Sequence, residues 1–328
     1  MAFIARRVAF YLVAVWTAVT VNFLIPRLMP GNAVDSILGK FPNLTPQVVK
    51  ALEVQFGVGQ PKGSIFSQYI QYWNNVIHFN LGISTSEYPI HVSSIIGQTL
   101  PWTLALVGVA TILSFVIGTL LGIVAAWRRG GWLDRVLPAM TLLQATPYFF
   151  LALLAIYLFA LKLNWLPYGQ GYTLGLSPGF NWAFIHSAVE HSILPALTII
   201  ATSVGGWMLQ MRNVMLTTIS EDYILVAQAK GLSPRRVMFT YGARNAILPN
   251  IAGFALSLGF VVAGALVMEI VFSYPGVGLT LYNAVTNNDY PLLQGIFLVI
   301  SLAVLTASLL ADVAYAIADP RARRQSAF

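Results

Sequence analysis

Residues 100–127 read LPWTLALVGVATILSFVIGTLLGIVAAW and contain no charged side chain. A helix needs about 20 predominantly apolar residues to cross the hydrocarbon core of a bilayer, and this run exceeds that length. A helix that is apolar on every side lies either in a large protein core or in lipid. The run therefore predicts a membrane-spanning helix.

Five further runs meet the same criterion. They are residues 8–26, 136–161, 193–211, 247–268 and 292–311, and none has an internal charge. The 328 residues are 57% hydrophobic and 9% charged, whereas about a quarter of the residues of a soluble domain are charged. The sequence thus predicts an all-α integral membrane protein with six transmembrane helices. The first run lacks a convincing small-residue cleavage site, so we interpret it as a retained anchor.

The positions of the cations predict the orientation. With a cytoplasmic N-terminus, 13 of the 18 Lys and Arg residues fall inside and 5 outside, as the positive-inside rule requires. The inside set is Arg6, Arg7, Arg128, Arg129, Arg135, Arg212, Lys230, Arg235, Arg236, Arg244, Arg321, Arg323 and Arg324. Both termini are therefore predicted to be cytoplasmic. The net charge of +7 arises from basic residues that lie in short clusters beside apolar runs. Membrane orientation explains these clusters, so the charge does not indicate a nucleic-acid partner.

This orientation divides the chain into four parts. Residues 1–28 form the N-terminal segment with the first helix, 29–99 a large external loop, 100–311 a five-helix core, and 312–328 a cytoplasmic basic tail. Thr45 and Pro46 resemble a helix start, followed at helical spacing by Val48, Val49, Leu52 and Phe56, and a second apolar stripe runs over 65–77. These amphipathic helices either lie on the membrane surface or over the outer mouth, or they pack on helix ends.

Three local patterns within the core have structural readings. Gly118 and Gly122 form a small-xxx-small pair that permits close helix packing in lipid. Pro147 inside the third run favours a kink. The turn at 273–278 ends the fifth run, and Asp289 precedes the sixth.

The external loop at 162–192 is rich in aromatic and titratable residues. Its members are Trp165, Tyr168, Tyr172, Phe180, Trp182, Phe184, His186, Glu190 and His191. Interfacial aromatic residues form an anchoring belt, although stacked rings also guide sugars or peptides. The two histidines beside a glutamate suggest a metal, but the four histidines of the chain show no compact ligand spacing, and we predict no metal site.

Catalytic chemistry is missing from the sequence. The six runs hold no nucleophile with a base and no paired carboxylates, and the phosphate-binding pattern GxxxxGK[ST] is absent. We therefore predict a protein that is not an enzyme and binds no cofactor. Uphill transport would need a partner or an ion gradient, and spans without charge favour a partner.

Residues 220–249, SEDYILVAQAKGLSPRRVMFTYGARNAILP, form the most polar long run of the C-terminal two thirds. Ser220 is the predicted N-cap of a short helix, with Glu221 and Asp222 in its first turn, Lys230 in its last and Gly231 in the left-handed position after it. Ser233 and Pro234 predict a second helix start. The segment is either a basic loop at lipid headgroups or a docking element.

The loop resembles the cytoplasmic coupling loop of ABC-importer permeases of the oligopeptide, dipeptide and nickel branch. The resemblance rests on an ordered set: Met29-Pro30-Gly31, Leu81 to Ser84, Leu100 to Leu104, Leu194 to Thr198, Asp222 to Ile224, Ala227 to Leu232, Arg235 to Val237, Arg244 to Pro249, Ser273 to Gly278, Asp289-Tyr290-Pro291 and Asp319-Pro320-Arg321. Asn32, Ala33, Ala105 and Gln228 depart from the common pattern.

The resemblance implies a coupling helix, between the fourth and fifth spans, that docks into a groove of an ATPase subunit. The docking residues it implies are Glu221, Asp222, Ala227, Gln228, Ala229, Lys230, Gly231 and Leu232. The implied partners are a homologous permease, two ATPase subunits that carry ATP and Mg, and an external solute-binding protein, in a prokaryotic inner membrane.

The branch favours a peptide substrate over a nickel chelate, while the aromatic stretch at 169–184 resembles members that import oligosaccharides. The alternatives from other classes are a partner-independent carrier or channel and a lipid-facing scaffold. The first predicts solute flux from the isolated chain without nucleotide, and the second predicts no nucleotide-dependent partner.

Overall fold

The computed structural model describes residues 2–28, 45–48, 64–262 and 266–318. Over these ranges the regular structure is helical, and the β-pairing is an isolated bridge between Ile83 and His91. The predicted all-α class is therefore confirmed. The helices are α1 Ala2–Leu28, α2 Ile65–Ile77, α3 Val92–Trp127, α4 Trp132–Ala145, α5 Tyr148–Lys162, α6 Trp182–Ile219, α7 Asp222–Ala229, α8 residues 234–246, α9 Leu248–Val261, α10 Leu266–Val271, α11 Val277–Thr286 and α12 Tyr290–Ala318.

Over the described residues the six predicted runs coincide with helices, apart from the break at Thr146 and Pro147 and the turns at Ile247 and Val262. Residues 263–265 of the fifth run lie outside the described residues. Three helical stretches are continuous, apolar and long enough to cross a bilayer, namely α3, α6 and Tyr290–Asp312 of α12. The α4 and α5 pair makes a fourth if it counts as one bent span. The remaining apolar stretches, Ala9–Ile25 and Leu248–Val261, are shorter.

The predicted kink at Pro147 is confirmed as a complete break. Helices α4 and α5 meet at 99°, with Thr146 and Pro147 in extended conformations between them. The proline has no N–H to donate, and the residue before it is forced out of the helical region. The next helix starts at once, because Phe150 N donates to Pro147 O at 3.0 Å.

Helix α6 is 38 residues long and begins earlier than its apolar run. We assigned Trp182 to Ser192 to a loop, and that assignment is wrong. The Asn181 side chain caps the helix by accepting from Phe184 N at 2.9 Å. Ser192 Oγ donates to Ala188 O at 2.7 Å and lies 3.0 Å from the Tyr274 hydroxyl. These bonds satisfy polar groups at the N-terminal end of a helix that hydropathy alone starts too late.

The predicted close packing at Gly118 and Gly122 is confirmed. Helices α3 and α6 lie against each other over most of their lengths. A Cβ built on Gly118 would lie 2.6 Å from Trp207 Cβ, and one on Gly122 would lie 2.5 Å from Met208 O. The two glycines therefore let the backbones touch, which supplies packing in lipid, where apolar burial alone gives no preference for protein contacts.

Gly122→Ala is expected to destabilise the fold by at least about 2 kcal/mol, because the methyl group has no space between the two helices. Gly97, on the same helix, has no atom within 4 Å of a built Cβ. Gly97→Ala should instead be neutral or raise stability by up to about 1 kcal/mol. Thermal or urea unfolding in detergent micelles, followed by circular dichroism, measures both. Equal shifts for the two variants would contradict this packing.

The predicted helix at 65–77 is confirmed and packs on α1. The Tyr69 hydroxyl lies 2.7 Å from Thr20 Oγ1, and Asn22 Nδ2 donates to the Tyr72 hydroxyl at 2.9 Å. Among the alternatives for this segment, packing on a helix end is therefore what the structure shows. Val49, Leu52 and Phe56 of the other predicted helix, and the motifs at 29–33 and 319–321, lie outside the described residues.

Two buried carboxylates fasten chain segments that are distant in sequence. Asp289 caps α12 by accepting from Leu292 N at 3.1 Å. It also accepts from Ser86 N at 3.0 Å, from Ser86 Oγ at 2.7 Å and from the Ser84 hydroxyl, which fixes the external turn before α3.

Glu269 on α10 is the second and lies one residue beyond the predicted fifth run. Its Oε1 accepts from Thr103 Oγ1 at 2.8 Å, and its Oε2 accepts from Gly278 N at 2.6 Å and Leu279 N at 3.2 Å. The carboxylate thus lies against the N-terminus of α11, where the helix dipole favours negative charge. Because Glu269 lies just outside the apolar run, no pattern in the sequence predicted a buried carboxylate here.

The aromatic stretch after α5 packs on the turn at 273–278. Gln170 N donates to Phe272 O at 2.7 Å, and a Cβ on Gly171 would lie 2.7 Å from Pro275. The Tyr172 ring stacks on Trp102 with centroids 5.9 Å apart. Tyr172 therefore has a packing role in this structure.

Candidate functional site

Helix α7 follows directly from α6 through a two-residue junction. Ser220 ends α6, and its hydroxyl donates to Thr217 O at 2.7 Å. Our assignment of Ser220 as the N-cap of α7 is therefore wrong, because Glu221 holds that position in extended conformation. The serine hydroxyl turns back to the preceding helix, since α6 continues to Ile219 and leaves its last carbonyls to be satisfied.

The C-terminal end of α7 has a Schellman motif. Gly231 has φ +72°, as predicted, and its N–H donates to Gln228 O at 2.9 Å. Leu232 N donates to Ala227 O at 3.4 Å. Leu232 also packs against the buried side of the helix, which is the apolar contact that accompanies this motif. The helix end is therefore fixed by backbone conformation and by packing together.

The inner side of α7 is anchored to the rest of the chain. Ile224, Ala227 and Val237 form a buried cluster, against which Trp127 at the end of α3 and Tyr241 on α8 also pack. Two of these residues belong to α7 and the others to two neighbouring helices. The cluster therefore fixes the orientation of a helix of only eight residues, which would not be stable alone.

A hydrogen bond adds to this anchoring. Asn245 Nδ2 donates to the Tyr223 hydroxyl at 3.1 Å and to Tyr241 O at 3.2 Å. Nearby, Arg212 Nε donates to Asp134 Oδ1 at 2.6 Å, and this ion pair joins the C-terminal part of α6 to α4. Helix α7 is thus attached to α8, and α6 is attached to α4.

The outer side of α7 combines apolar and polar groups. Leu225 and Val226 are 58% and 54% exposed although they are apolar. Glu221 and Asp222 lie at the N-terminal end and Lys230 at the C-terminal end, where each sign of charge interacts favourably with the helix dipole. We name this side, comprising Glu221, Asp222, Leu225, Val226, Gln228, Ala229 and Lys230, the outer surface of α7.

The predicted docking residues divide into three groups in this structure. Glu221, Asp222, Gln228, Ala229, Lys230 and Gly231 are exposed, whereas Leu232 is half-buried. Ala227 is 2% exposed and packs inward. Its predicted contribution to an accessible small-residue surface is therefore not supported, because it contacts Ile224 and Val237 of its own chain.

Sequence reasoning missed Leu225 and Val226. Apolar residues within a predicted helix are ordinarily assigned to its buried side, and only the positions of Ile224 and Ala227 show which side that is. Consecutive residues of a helix are about 100° apart, so Leu225 and Ile224 cannot share one narrow side of α7. This spacing was the signal in the sequence that one of the two is exposed. The outer surface of α7 is exposed to contact by another protein. Separately, among the described residues no group of three or more His, Asp or Glu side chains is arranged to hold a metal.

Comparison with known families matches residues 118–324, more than half of the chain, to the binding-protein-dependent transport system inner membrane component. The chain belongs to this family. The matched range includes α7, α8 and the glycine contacts between α3 and α6. The resemblance to ABC-importer permeases is thereby confirmed, and the family description agrees with a multi-pass inner-membrane protein.

Relatives match over nearly the whole length. A Brucella suis biovar 1 protein named as a candidate peptide permease is 34% identical over 91% of this chain and 92% of its own. A Sinorhizobium fredii protein named as a candidate peptide ABC transporter permease is 33% identical over 92% of each chain. The di/tripeptide transport system permease protein DppB of Pseudomonas aeruginosa is 31% identical over 99% of each.

Proposed function

We propose that this chain is the permease subunit of an ATP-driven importer and that α7 is its coupling helix. The observation that carries the proposal is the construction of α7: a short helix that is capped at its C-terminal end, fixed along its inner side and apolar on its exposed side. Exposed apolar residues surrounded by charges are typical of a surface that another protein covers.

In this proposal the six apolar stretches cross the membrane and both termini are cytoplasmic. The distribution of Lys and Arg supports that orientation, and it places α7 on the cytoplasmic side. The partners are a homologous permease, two ATPase subunits and an external solute-binding protein. ATP and Mg bind the ATPase subunits, and this chain holds no catalytic residue.

The mechanism follows from the attachment of α7. When ATP brings the ATPase subunits together, the outer surface of α7 moves with the subunit that it contacts. The inner cluster transmits that displacement to α3 through Trp127 and to α8 through Tyr241, while the two-residue junction transmits it to α6. The helices then change access to the pathway from the cytoplasmic to the external side.

The substrate we propose is a short peptide, on the basis of the three relatives' names. The aromatic stretch that suggested an oligosaccharide packs in part on Trp102 and on the turn at 273–278, so it gives that alternative little support.

Uptake of a labelled tripeptide into proteoliposomes tests the function. We expect uptake when the chain is assembled with its ATPase, permease and binding-protein partners and ATP is present, and none from the chain alone. Nucleotide-independent flux through the isolated chain would contradict the proposal and support a carrier or channel.

Gly231→Val tests α7 within the same assay. The left-handed φ of +72° is strained for a β-branched residue, by roughly 1–2 kcal/mol, so the C-terminal end of α7 should unwind. Uptake should fall at least about fivefold relative to ATP hydrolysis. Gly231→Asn is the matched control, because asparagine tolerates this conformation, and its uptake should stay near normal. Equal uptake by the valine variant would contradict the role of the capped end.

A further inference from the structure

A concave site lies at the other end of α6 from the coupling helix. The end of α5, the segment at 164–168 and the N-terminal part of α6 line an open cavity of about 380 Å³. Its polar lining includes Glu190 and His191 on α6 and Thr173, and its aromatic lining includes Trp165 and Tyr168. Nothing in the coupling mechanism uses these residues.

The walls of this cavity are fixed by hydrogen bonds. Trp165 N and Leu166 N both approach Phe159 O, at 2.9 and 3.3 Å, which holds the aromatic wall to the end of α5. Thr173 N donates to Ser187 Oγ at 2.8 Å, which attaches the segment at Thr173 to α6. The site is therefore formed before any ligand arrives.

The polar groups of the cavity favour a cation. Glu190 is half-buried, and within the described part of the chain its carboxylate has no ion pair or hydrogen bond. His191 Nδ1 lies 2.8 Å from the Ser187 carbonyl oxygen, which can only accept, so Nδ1 donates to it. No Lys or Arg lines the cavity.

The aromatic wall favours an organic cation over a metal ion. The Trp165 and Tyr168 side chains are 67% and 65% exposed. Aromatic faces beside a carboxylate recognise ammonium and guanidinium groups through cation–π attraction. Two metal-ligating side chains, Glu190 and His191, are too few for the four or more ligands that protein metal sites require.

We propose that this cavity binds an organic ammonium group and that the group is the free amine of the transported peptide. The peptide source rests on the proposed function, whereas the ammonium chemistry rests on the cavity itself. Glu190 lies 29 residues before the end of α6 at Ile219, which is about 44 Å along the helix axis, so the cavity lies at the opposite membrane face from α7. In the proposed orientation that face is external, where the solute enters.

Titration calorimetry on the assembled transporter in phosphatidylglycerol nanodiscs tests this site. The probes are alanyl-alanine amide, which has a free ammonium, and its N-acetylated form, which does not. We expect binding of the first and at least roughly tenfold weaker binding of the second, because an ammonium–carboxylate bond is charge-assisted. Glu190→Gln should remove that difference, and Trp165→Leu should weaken binding severalfold.

Two control variants separate the site from general effects. Glu87→Gln removes an exposed acid and Trp182→Leu an exposed aromatic residue, both outside the cavity wall, and neither should change binding. Equal affinity for the two probes, or a Glu87→Gln effect as large as that of Glu190→Gln, would overturn the proposal. Loss of binding with unchanged peptide uptake in Glu190→Gln would overturn the peptide as the source while leaving the importer function intact.

The headgroup of a lipid such as phosphatidylethanolamine is another source of an organic ammonium group. Adding phosphatidylethanolamine to the nanodiscs should leave the affinity for alanyl-alanine amide unchanged. Competition by this lipid that disappears in Glu190→Gln would assign the ammonium to the headgroup and overturn the peptide source.

Discussion

Leu225→Glu is expected to abolish ATP-driven uptake by the assembled transporter while the subunit still folds. Leu225 is more than half exposed, so a polar replacement should change the free energy of unfolding by no more than about 0.5 kcal/mol. In the proposed assembly the same side chain lies against the ATPase subunit, where an unpaired buried charge is costly. A loss of about 3 kcal/mol there weakens ATPase binding by more than a hundredfold.

Two matched variants make this result specific. Leu225→Met keeps an apolar side chain of similar volume and should retain uptake. Leu174→Glu places the same charge on a strongly exposed leucine in the segment between α5 and α6 and should leave ATPase binding unchanged. Co-purification with the ATPase and tripeptide uptake measure the two steps. Normal co-purification of Leu225→Glu would show that the outer surface of α7 is not the docking surface.

Glu269→Ala is expected to be the most destabilising single change, by about 3–5 kcal/mol. Removing the carboxylate leaves Thr103 Oγ1, Gly278 N and Leu279 N without their acceptor. Each unsatisfied buried donor costs about 1–3 kcal/mol, and the interior offers no water to replace the bond. Thr103 is affected further, because its hydroxyl also accepts from Val277 N at 2.8 Å.

The controls distinguish the hydrogen bonds from general loss of a side chain. Glu269→Gln keeps one acceptor oxygen and should cost clearly less than alanine, while exposed Glu87→Ala should change stability by no more than about 0.5 kcal/mol. Unfolding in detergent micelles, followed by circular dichroism, measures all three. A Glu269→Ala shift as small as that of Glu87→Ala would show that the carboxylate does not hold α10 to α11.

The sequence by itself determined the features that depend on local composition. Apolar runs determined where helices form, because backbone groups in lipid must be satisfied within the segment. Pro147 determined a kink and Gly231 a left-handed helix end, because each depends on the covalent geometry of one residue.

The position of the candidate site along the chain could be predicted, but which residues of α7 are exposed could not. The caps and charges located α7 to within one residue, while the assignment of Ser220 was wrong because α6 extends to Ile219. Which residues of α7 point outward depends on Val237 and Trp127, which are distant in sequence. The large apolar Leu225 is therefore exposed, and the small Ala227, which we predicted to be accessible, is buried.

Only the tertiary structure decided the partners of the buried polar groups. Glu269 and Thr103 are 166 positions apart, and Ser84 and Asp289 are 205 apart. Sequence periodicity cannot predict such pairs. Each residue type shows only that a donor or an acceptor is present, and its partner depends on the tertiary structure. The same reason applies to the cavity at Glu190: helix α6 extends beyond its apolar run, and that extension brings an acid beside Trp165.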